Sequence, residues 1–317
     1  MPTYNSSQTL RCALRSLCRQ TFADFEAWVV GDACTDDSEQ VVASCADSRL
    51  HWTNLIQHFG CQSWPNNEGL RRARGRYIAY LGHDDLWFPW HLASLVTTIE
   101  QTGADFVHAA AALMDRTGPV GMLGAPGGKR SYAYRVVVPS SWLHRREIVE
   151  NCGGWQDPQG QISAVDSLFQ RRAFRAGHRF AASGQLSVLK FPSTWWRAYS
   201  LKRGHPQPAY MDQMEQDPVQ LHQQLLTELA FALSRPQENG LISHSLALAR
   251  TALKAQLREW YGMERWPLSQ YLAWRCTRRR KQTFILRGLG DKPPAEGRGR
   301  KDDSALIPYS SRAASSE

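Results

Sequence analysis

Residues Tyr77 to Pro89, YIAYLGHDDLWFP, run an apolar segment straight into two adjacent carboxylates and then a Trp-x-Pro helix start. Tyr77 to Leu81 suit a strand covered on both faces, which is the pattern of a sheet layered between helices. Open sheets of that kind hold ligands in the crevice beyond the carboxyl ends of their strands, and Asp84 and Asp85 fall at such an end. A carboxylate there can hold a divalent cation, which in turn holds a diphosphate. The plainer reading is that one of the two caps the helix beginning near Pro89.

The first half of the chain alternates helix and strand around this segment. Ser6 or Ser7 can cap a helix whose apolar positions Leu10, Ala13, Leu14 and Leu17 recur at helical spacing. Phe25 to Val30 reads as a strand, residues 31 to 38 as a turn into a helix through Val41 and Val42, and Leu50 to Gln57 as the next strand. A loop at 58 to 67 and a short basic helix from Glu68 to Arg74 precede the Tyr77 strand. Pro89 to Thr102 then reads as a helix and Asp105 to Ala112 as a strand. Such alternation predicts an α/β fold with parallel pairing.

Beyond residue 114 the pattern is less regular. Residues 115 to 134 read as a loop or small hairpin, Val136 to Val138 as a strand and Arg146 to Asn151 as a helix. Ala164 to Ala176 reads as a longer helix stopped by Gly177. Asp217 to about Trp260 is helical in pattern, and the Lys, Pro, Gly and Ser-rich tail after Gly290 is expected to be disordered.

With 317 residues and 42% hydrophobic side chains, the chain can bury a substantial core. Its formal net charge of +9 suits nucleic acid, an anionic membrane surface or phosphorylated substrates alike. The seven cysteines form no Cys-x-x-Cys pair, so neither a disulfide framework nor a zinc site is indicated. No apolar run approaches a membrane span and the N-terminus lacks a leader pattern, so the expected location is cytoplasmic.

Four separated pieces, Pro2-Thr3-Tyr4-Asn5, the turn Gly31 to Asp36, Asn67-Glu68-Gly69 and Leu81 to Asp85, resemble glycosyltransferase family 2, in the family's order. Cys152-Gly153-Gly154-Trp155 looks like the family's Gly-Gly-Phe segment, and Asp166 falls where a catalytic Asp is expected. The resemblance covers roughly residues 1 to 190. It implies a GT-A fold: a Rossmann-like, mostly parallel sheet flanked by helices, with a helical C-terminal appendage. The implied division is a glycosyltransferase domain at 1–200, with a nucleotide-binding half at 1–114 and an acceptor half at 115–200. A helical region at 201–290 and the tail at 291–317 follow.

The resemblance also implies roles. Pro2, Thr3, Tyr4 and Asn5 would contact the nucleotide of a nucleotide-sugar donor. Asp32 would accept a hydrogen bond from a base N–H such as that of uracil, since an ionised carboxylate accepts and never donates. The alternative for Asp32 is an ordinary turn residue, with Asp36 or Asp37 capping the next helix. Asn67 and Gly69 would start a helix whose N–H groups face phosphate. Asp84 would hold Mg²⁺ or Mn²⁺, with His83 beside the donor phosphates. Asp166 would be the base of an inverting transfer to a glycan or lipid-linked acceptor; its alternative is a helix-start carboxylate facing water. Trp142 and Trp155 either stack on an acceptor sugar or fill the core.

Three features depart from the family pattern. Gly82 stands where the first carboxylate of the acidic motif is usual, and Asn66 where an Arg is frequent. Only Met1 precedes Pro2, so the central first strand is expected to be truncated, and the native product to begin upstream. The basic, apolar stretch Tyr271 to Leu289 suits an interfacial helix on anionic lipid or a solvated helix on the domain. No nucleic-acid recognition motif accompanies its charges. A sugar nucleotidyltransferase and a non-catalytic sugar-nucleotide-binding relic remain alternatives.

Overall fold

The computed structural model describes residues 1–115, 118–124, 132, 137–158, 164–192 and 205–234. Strands β1 (Pro2–Thr3), β2 (Ala27–Gly31) and β3 (Leu50–Asn54) form a parallel sheet in that order. Parallel neighbours need crossovers, and α1 (Ser7–Cys18) and α2 (Ser38–Ser44) supply them. Helix α1 buries Leu10, Ala13, Leu14 and Leu17, the stripe its spacing predicts, and packs it with Val29, Val41 and Val42. One carboxylate serves the starts of both helices. Asp36 Oδ2 accepts the Ser7 N–H at 3.0 Å, while its Oδ1 accepts the Ser38 N–H at 3.2 Å and the Ser38 hydroxyl at 2.6 Å.

The second sheet combines β4 (Tyr77–Ala79), β5 (Leu86–Trp87), β6 (Phe106–Met114), β7 (Pro119–Leu123), β8 (Trp142–Arg145) and β9 (Phe180–Lys190). Its order is β4-β8-β6-β9-β5, with β7 hairpinned onto β6. Only β6 and β9 pair in parallel here; β8 runs antiparallel to both β4 and β6, and β5 antiparallel to β9. Helices α3 (Ser63–Arg72), α4 (His91–Thr102), α5 (Glu147–Cys152) and α6 (Val165–Arg175) cover the sheets, and α7 (Gln207–Gln216) and α8 (Pro218–Ser234) add the helical appendage. Helix α4 stops at Gly103, whose φ of 61° gives the left-handed turn that glycine adopts without a Cβ clash.

Several boundaries differ from those the sequence pattern predicts. Helix α3 starts at Ser63, five residues before Glu68, because Pro65 in its first turn costs no helical hydrogen bond. Val137 and Val138 are not a strand: Pro139, with no N–H to give a ladder, opens a 3₁₀ turn (Pro139–Ser141), and the strand begins at Trp142. Val136 lies outside the described residues, as do the segment after Ser234, the basic stretch at 271–289 and the tail. Among the described residues no helix is long and apolar enough to cross a membrane.

Trp142 and Trp155 fill the core. Both are fully buried, and Trp155 stacks on Phe169 with ring centroids 5.3 Å apart and meets Tyr80 edge-on at 5.1 Å. The first strand is short, pairing with β2 over two residues. Ahead of it, the Met1 amino group donates to the Trp28 carbonyl at 2.8 Å. A cavity of about 740 Å³ opens beside this point, lined by Met1, Phe25 and Trp28 from the first sheet and by Tyr77 and Ile78 of β4.

Candidate active site

The chain leaves β4 through Leu81 and folds back at once into β5, so Gly82 to Asp85 form the bend. Gly82 is what lets the two carboxylates turn back over the strand end: a Cβ there would lie 3.0 Å from both Asp84 Oδ1 and Asp85 Oδ2. A side chain at this position would oblige the two carboxylates to shift by a few tenths of an ångström.

Asp85 is wholly buried and fully engaged. It accepts hydrogen bonds from the Ser140 hydroxyl, from the Phe191 N–H at 3.1 Å and from the Lys190 ammonium at 2.9 and 3.1 Å. The ammonium and the Phe191 N–H on this carboxyl group favour its ionised form. Burial pushes the Asp85 carboxyl above the usual range, with Lys190 opposing that rise and Asp84 adding to it. Asp84 differs. Its backbone carbonyl accepts the Gln207 amide at 3.0 Å, and its Oδ1 lies 3.9 Å from Lys190 Nζ. Among the described residues none donates a hydrogen bond to the Asp84 carboxylate.

Asp166 is the second residue of α6, and its Oδ1 accepts the Ser167 N–H at 2.7 Å. Burial raises its pKa, while the Ser167 N–H and the Lys190 charge oppose the rise. Lys190 closes β9. Burial opposes its charge, yet Asp85 and Asp84, with a contribution from Asp166, hold the ammonium above the ordinary lysine range. Carboxylates from two separate segments therefore share the field of one ammonium.

The nucleotide-side residues gather at the ends of β1 and β2. The Thr3 carbonyl accepts the Asp32 N–H at 2.8 Å, and the buried Thr3 hydroxyl has no hydrogen-bond partner among the described residues. Asn5, at φ 41°, accepts the Thr35 N–H on its side-chain oxygen at 2.8 Å. The Pro2 carbonyl faces His83 Nδ1 at 3.3 Å. The Asp32 carboxylate accepts the N–H groups of Phe59 at 2.9 Å and Gly60 at 2.8 Å, and its Oδ2 lies 2.9 Å from His58 Nδ1. The His58 ring also stacks on Tyr4, centroids 3.9 Å apart at 23°. The two groups expected to bind a base thus already hold an imidazole.

Asn67 and Gly69 do not join this group as expected. Helix α3 begins at Ser63, so both are interior to it and their N–H groups are not at a helix start. Asn67 is a clamp: its side chain accepts the Trp155 N–H at 2.8 Å and donates to the Trp155 carbonyl at 2.9 Å. Gly154 passes so close that a Cβ would sit 2.4 Å from Asn67 Oδ1. Gly154→Ala must therefore break the clamp and overfill the site, costing about 3 kcal/mol, measurable as a lowered urea midpoint with unchanged slope.

Among the described residues no group of three His, Cys, Asp or Glu side chains stands ready to hold a metal. Mg²⁺ and Mn²⁺ sites that act on diphosphates commonly take one or two carboxylates and complete the shell with water and substrate phosphate. Asp84 fits that part; Asp85, its oxygens already taken, does not. Lys190 was not anticipated. Its sequence signal is a charged residue closing the largely apolar run Leu186-Ser187-Val188-Leu189, a weak mark for a buried ammonium.

The α/β layers, with an acidic bend beyond β4, share the GT-A fold of solved glycosyltransferase structures. Residues 1–115 match the family model described as glycosyl transferase family 2. Staphylococcus aureus TarS 1–349, solved with UDP-GlcNAc, shares the fold with a TM-score of 0.52 at 19% identity, over 75% of each chain. Its complex with UDP gives a TM-score of 0.51 at 21% identity over 67% of each. Among curated proteins, the Escherichia coli UDP-Glc:α-D-GlcNAc-diphosphoundecaprenol β-1,3-glucosyltransferase WfgD is 28% identical over 126 residues, 40% of this chain and 49% of that protein. WfaP, of the same described activity, is 29% identical over 99 residues, 31% of this chain and 38% of that protein. The chain thus spans about half or less of the length of these relatives.

Proposed function

We propose that the chain is an inverting glycosyltransferase that moves a sugar from a nucleotide-sugar, with a UDP-sugar favoured, to a hydroxyl of a glycan or lipid-linked acceptor. The observation that carries this reading is the acidic bend beyond β4, where Asp84 and Asp85 lie 3.9 and 2.9 Å from the Lys190 ammonium, whose charge also acts on Asp166. The UDP-glucose donors and diphosphoundecaprenol acceptors named for WfgD and WfaP, and the UDP ligands of TarS, support the substrate classes. In this reading residues 1–114 hold the donor and 115–200 face the acceptor. A lipid-linked acceptor puts the reaction at a membrane surface, in keeping with peripheral contact from the cytoplasmic side.

The chemistry is a single displacement. The acceptor oxygen bonds to the anomeric carbon as the bond from that carbon to the diphosphate breaks, and the configuration inverts. Asp166 takes the acceptor hydroxyl proton, and its raised pKa makes it a stronger base than an ordinary carboxylate. Asp84 would hold Mg²⁺ or Mn²⁺, which when bound neutralises charge on the departing nucleoside diphosphate. Asp85 keeps Lys190 and the end of β9 fixed against the bend.

A donor panel assayed with Mn²⁺ tests the reading. Transfer or slow donor hydrolysis is expected with at least one UDP-sugar, and Asp84→Ala should weaken metal-dependent UDP binding about tenfold or more by calorimetry. Pyrophosphate release from a nucleoside triphosphate would instead identify a nucleotidyltransferase. Tight donor binding without turnover would identify a relic.

A further inference from the structure

Two carboxylates side by side should repel a diphosphate, yet the acidic bend does not present bare negative charge. Of the three charged side chains that meet there, Lys190 is the most open to solvent: its side chain is 23% exposed, against 10% for Asp84 and none for Asp85. The least covered of the three is thus the side chain that carries the positive charge. The position of that ammonium is also fixed, because Asp85 grips it through both oxygens and is itself anchored by Ser140 and Phe191. Only two of the three ammonium donors need face Asp85, which leaves the third for another acceptor.

We propose that Lys190 is the resident cation of the donor site, binding the nucleotide's diphosphate directly and holding back divalent cation binding at Asp84 until the donor has entered. A fixed positive charge 3.9 Å from Asp84 Oδ1 competes with any metal ion for that carboxylate. Once the diphosphate has taken up part of the ammonium's charge, that competition falls and phosphate oxygens complete the metal shell. Binding is then ordered, nucleotide before metal, and the nucleotide keeps measurable affinity without metal. The inference rests on the donor reading above and adds to it a residue that touches the substrate.

Calorimetry with UDP in EDTA, and Mn²⁺ titration without nucleotide, test it on the full chain. Wild type should bind UDP in EDTA; Lys190→Met should weaken this about 10- to 100-fold, the loss expected for a charge-assisted contact. Lys190→Met should also tighten Mn²⁺ alone by about tenfold, as the competing charge is gone. Lys190→Arg should keep most of the metal-free affinity, since it retains the charge. Because Lys190→Met strands the buried Asp85 charge, the double variant Lys190→Met with Asp85→Asn is measured beside it and should show the same two shifts in a folded chain. If UDP affinity in EDTA and Mn²⁺ affinity both stay within about twofold of wild type in the double variant, Lys190 is only a structural clamp. Wild type that binds UDP with Mn²⁺ but not in EDTA overturns this inference alone, whereas failure to bind under either condition overturns the donor reading as well.

Discussion

Asp166→Asn lowers kcat by about two to four orders of magnitude while leaving the Kd for UDP with Mn²⁺ within about threefold of wild type. The carboxamide matches the carboxylate in shape and can still accept the Ser167 N–H, so the start of α6 keeps its geometry. What it loses is the ability to take a proton. The pH profile adds a second signature. Burial raises the Asp166 pKa and Lys190 only partly offsets it, so the ionised base is present only above the ordinary carboxylic acid range of about 3.9. The acid limb of kcat/KM therefore lies above that value, and removing the Lys190 charge moves it higher still. A kcat near that of wild type for Asp166→Asn would leave Asp166 as a helix-start carboxylate and nothing more.

The folded state loses about 6 kcal/mol between pH 7.5 and pH 5, a large share of the 5 to 15 kcal/mol that holds a typical domain together. That figure counts three buried, neutral histidines in the second sheet and the helix beside it; the buried Met1 amino group, lowered by desolvation to about 5, adds to the loss in the same sense. His91 bonds Ser187 at 2.7 Å, His108 bonds Tyr132 at 3.0 Å and His144 bonds Tyr80 at 3.1 Å. Burial pushes their pKa values down to about 3, 4 and 4 respectively. In the unfolded chain each titrates near 6.5, so the unfolded state takes up protons first as pH falls. The stabilisation is complete above about 6.5, declines by roughly 1.4 kcal/mol per histidine per pH unit below it, and is exhausted below the folded values. Asp85 and Asp166, with pKa values raised by burial, act in the opposite sense and trim the loss at the acid end. Urea midpoints at pH 7.5, 6 and 5 should fall progressively; a constant midpoint down to pH 5 would mean that these rings are solvated.

Local periodicity carried the first half of the fold. The α1 stripe, the β4 strand and the Gly177 stop were legible because each is set by residues within a few positions of one another. The second sheet was not. Trp142–Arg145 is too short to show a period, and it is a strand because β4 and β6 flank it on either side. Phe180–Lys190 mixes small and polar residues, and its pairing with β6 is a long-range choice. The same distinction holds at the site. Asp84 and Asp166 stand in the sequence as acids in motif positions, whereas the ammonium beside Asp84 comes from a strand about a hundred residues after the bend. Asn67 was misassigned because its helix begins earlier than its composition implies, and because its true partner, Trp155, is distant in sequence.

On the donor reading proposed above, the imidazole of His58 sets the energetic starting point for a base at Tyr4 and Asp32. Tyr4 and Asp32 are already matched with an aromatic heterocycle of the chain's own, stacked and hydrogen-bonded much as a nucleobase would be. A base entering that space exchanges one stack and one polar contact for another, so its net gain is only the difference between two similar sets of contacts. Selectivity among donors then has to be drawn largely from the sugar and the phosphates.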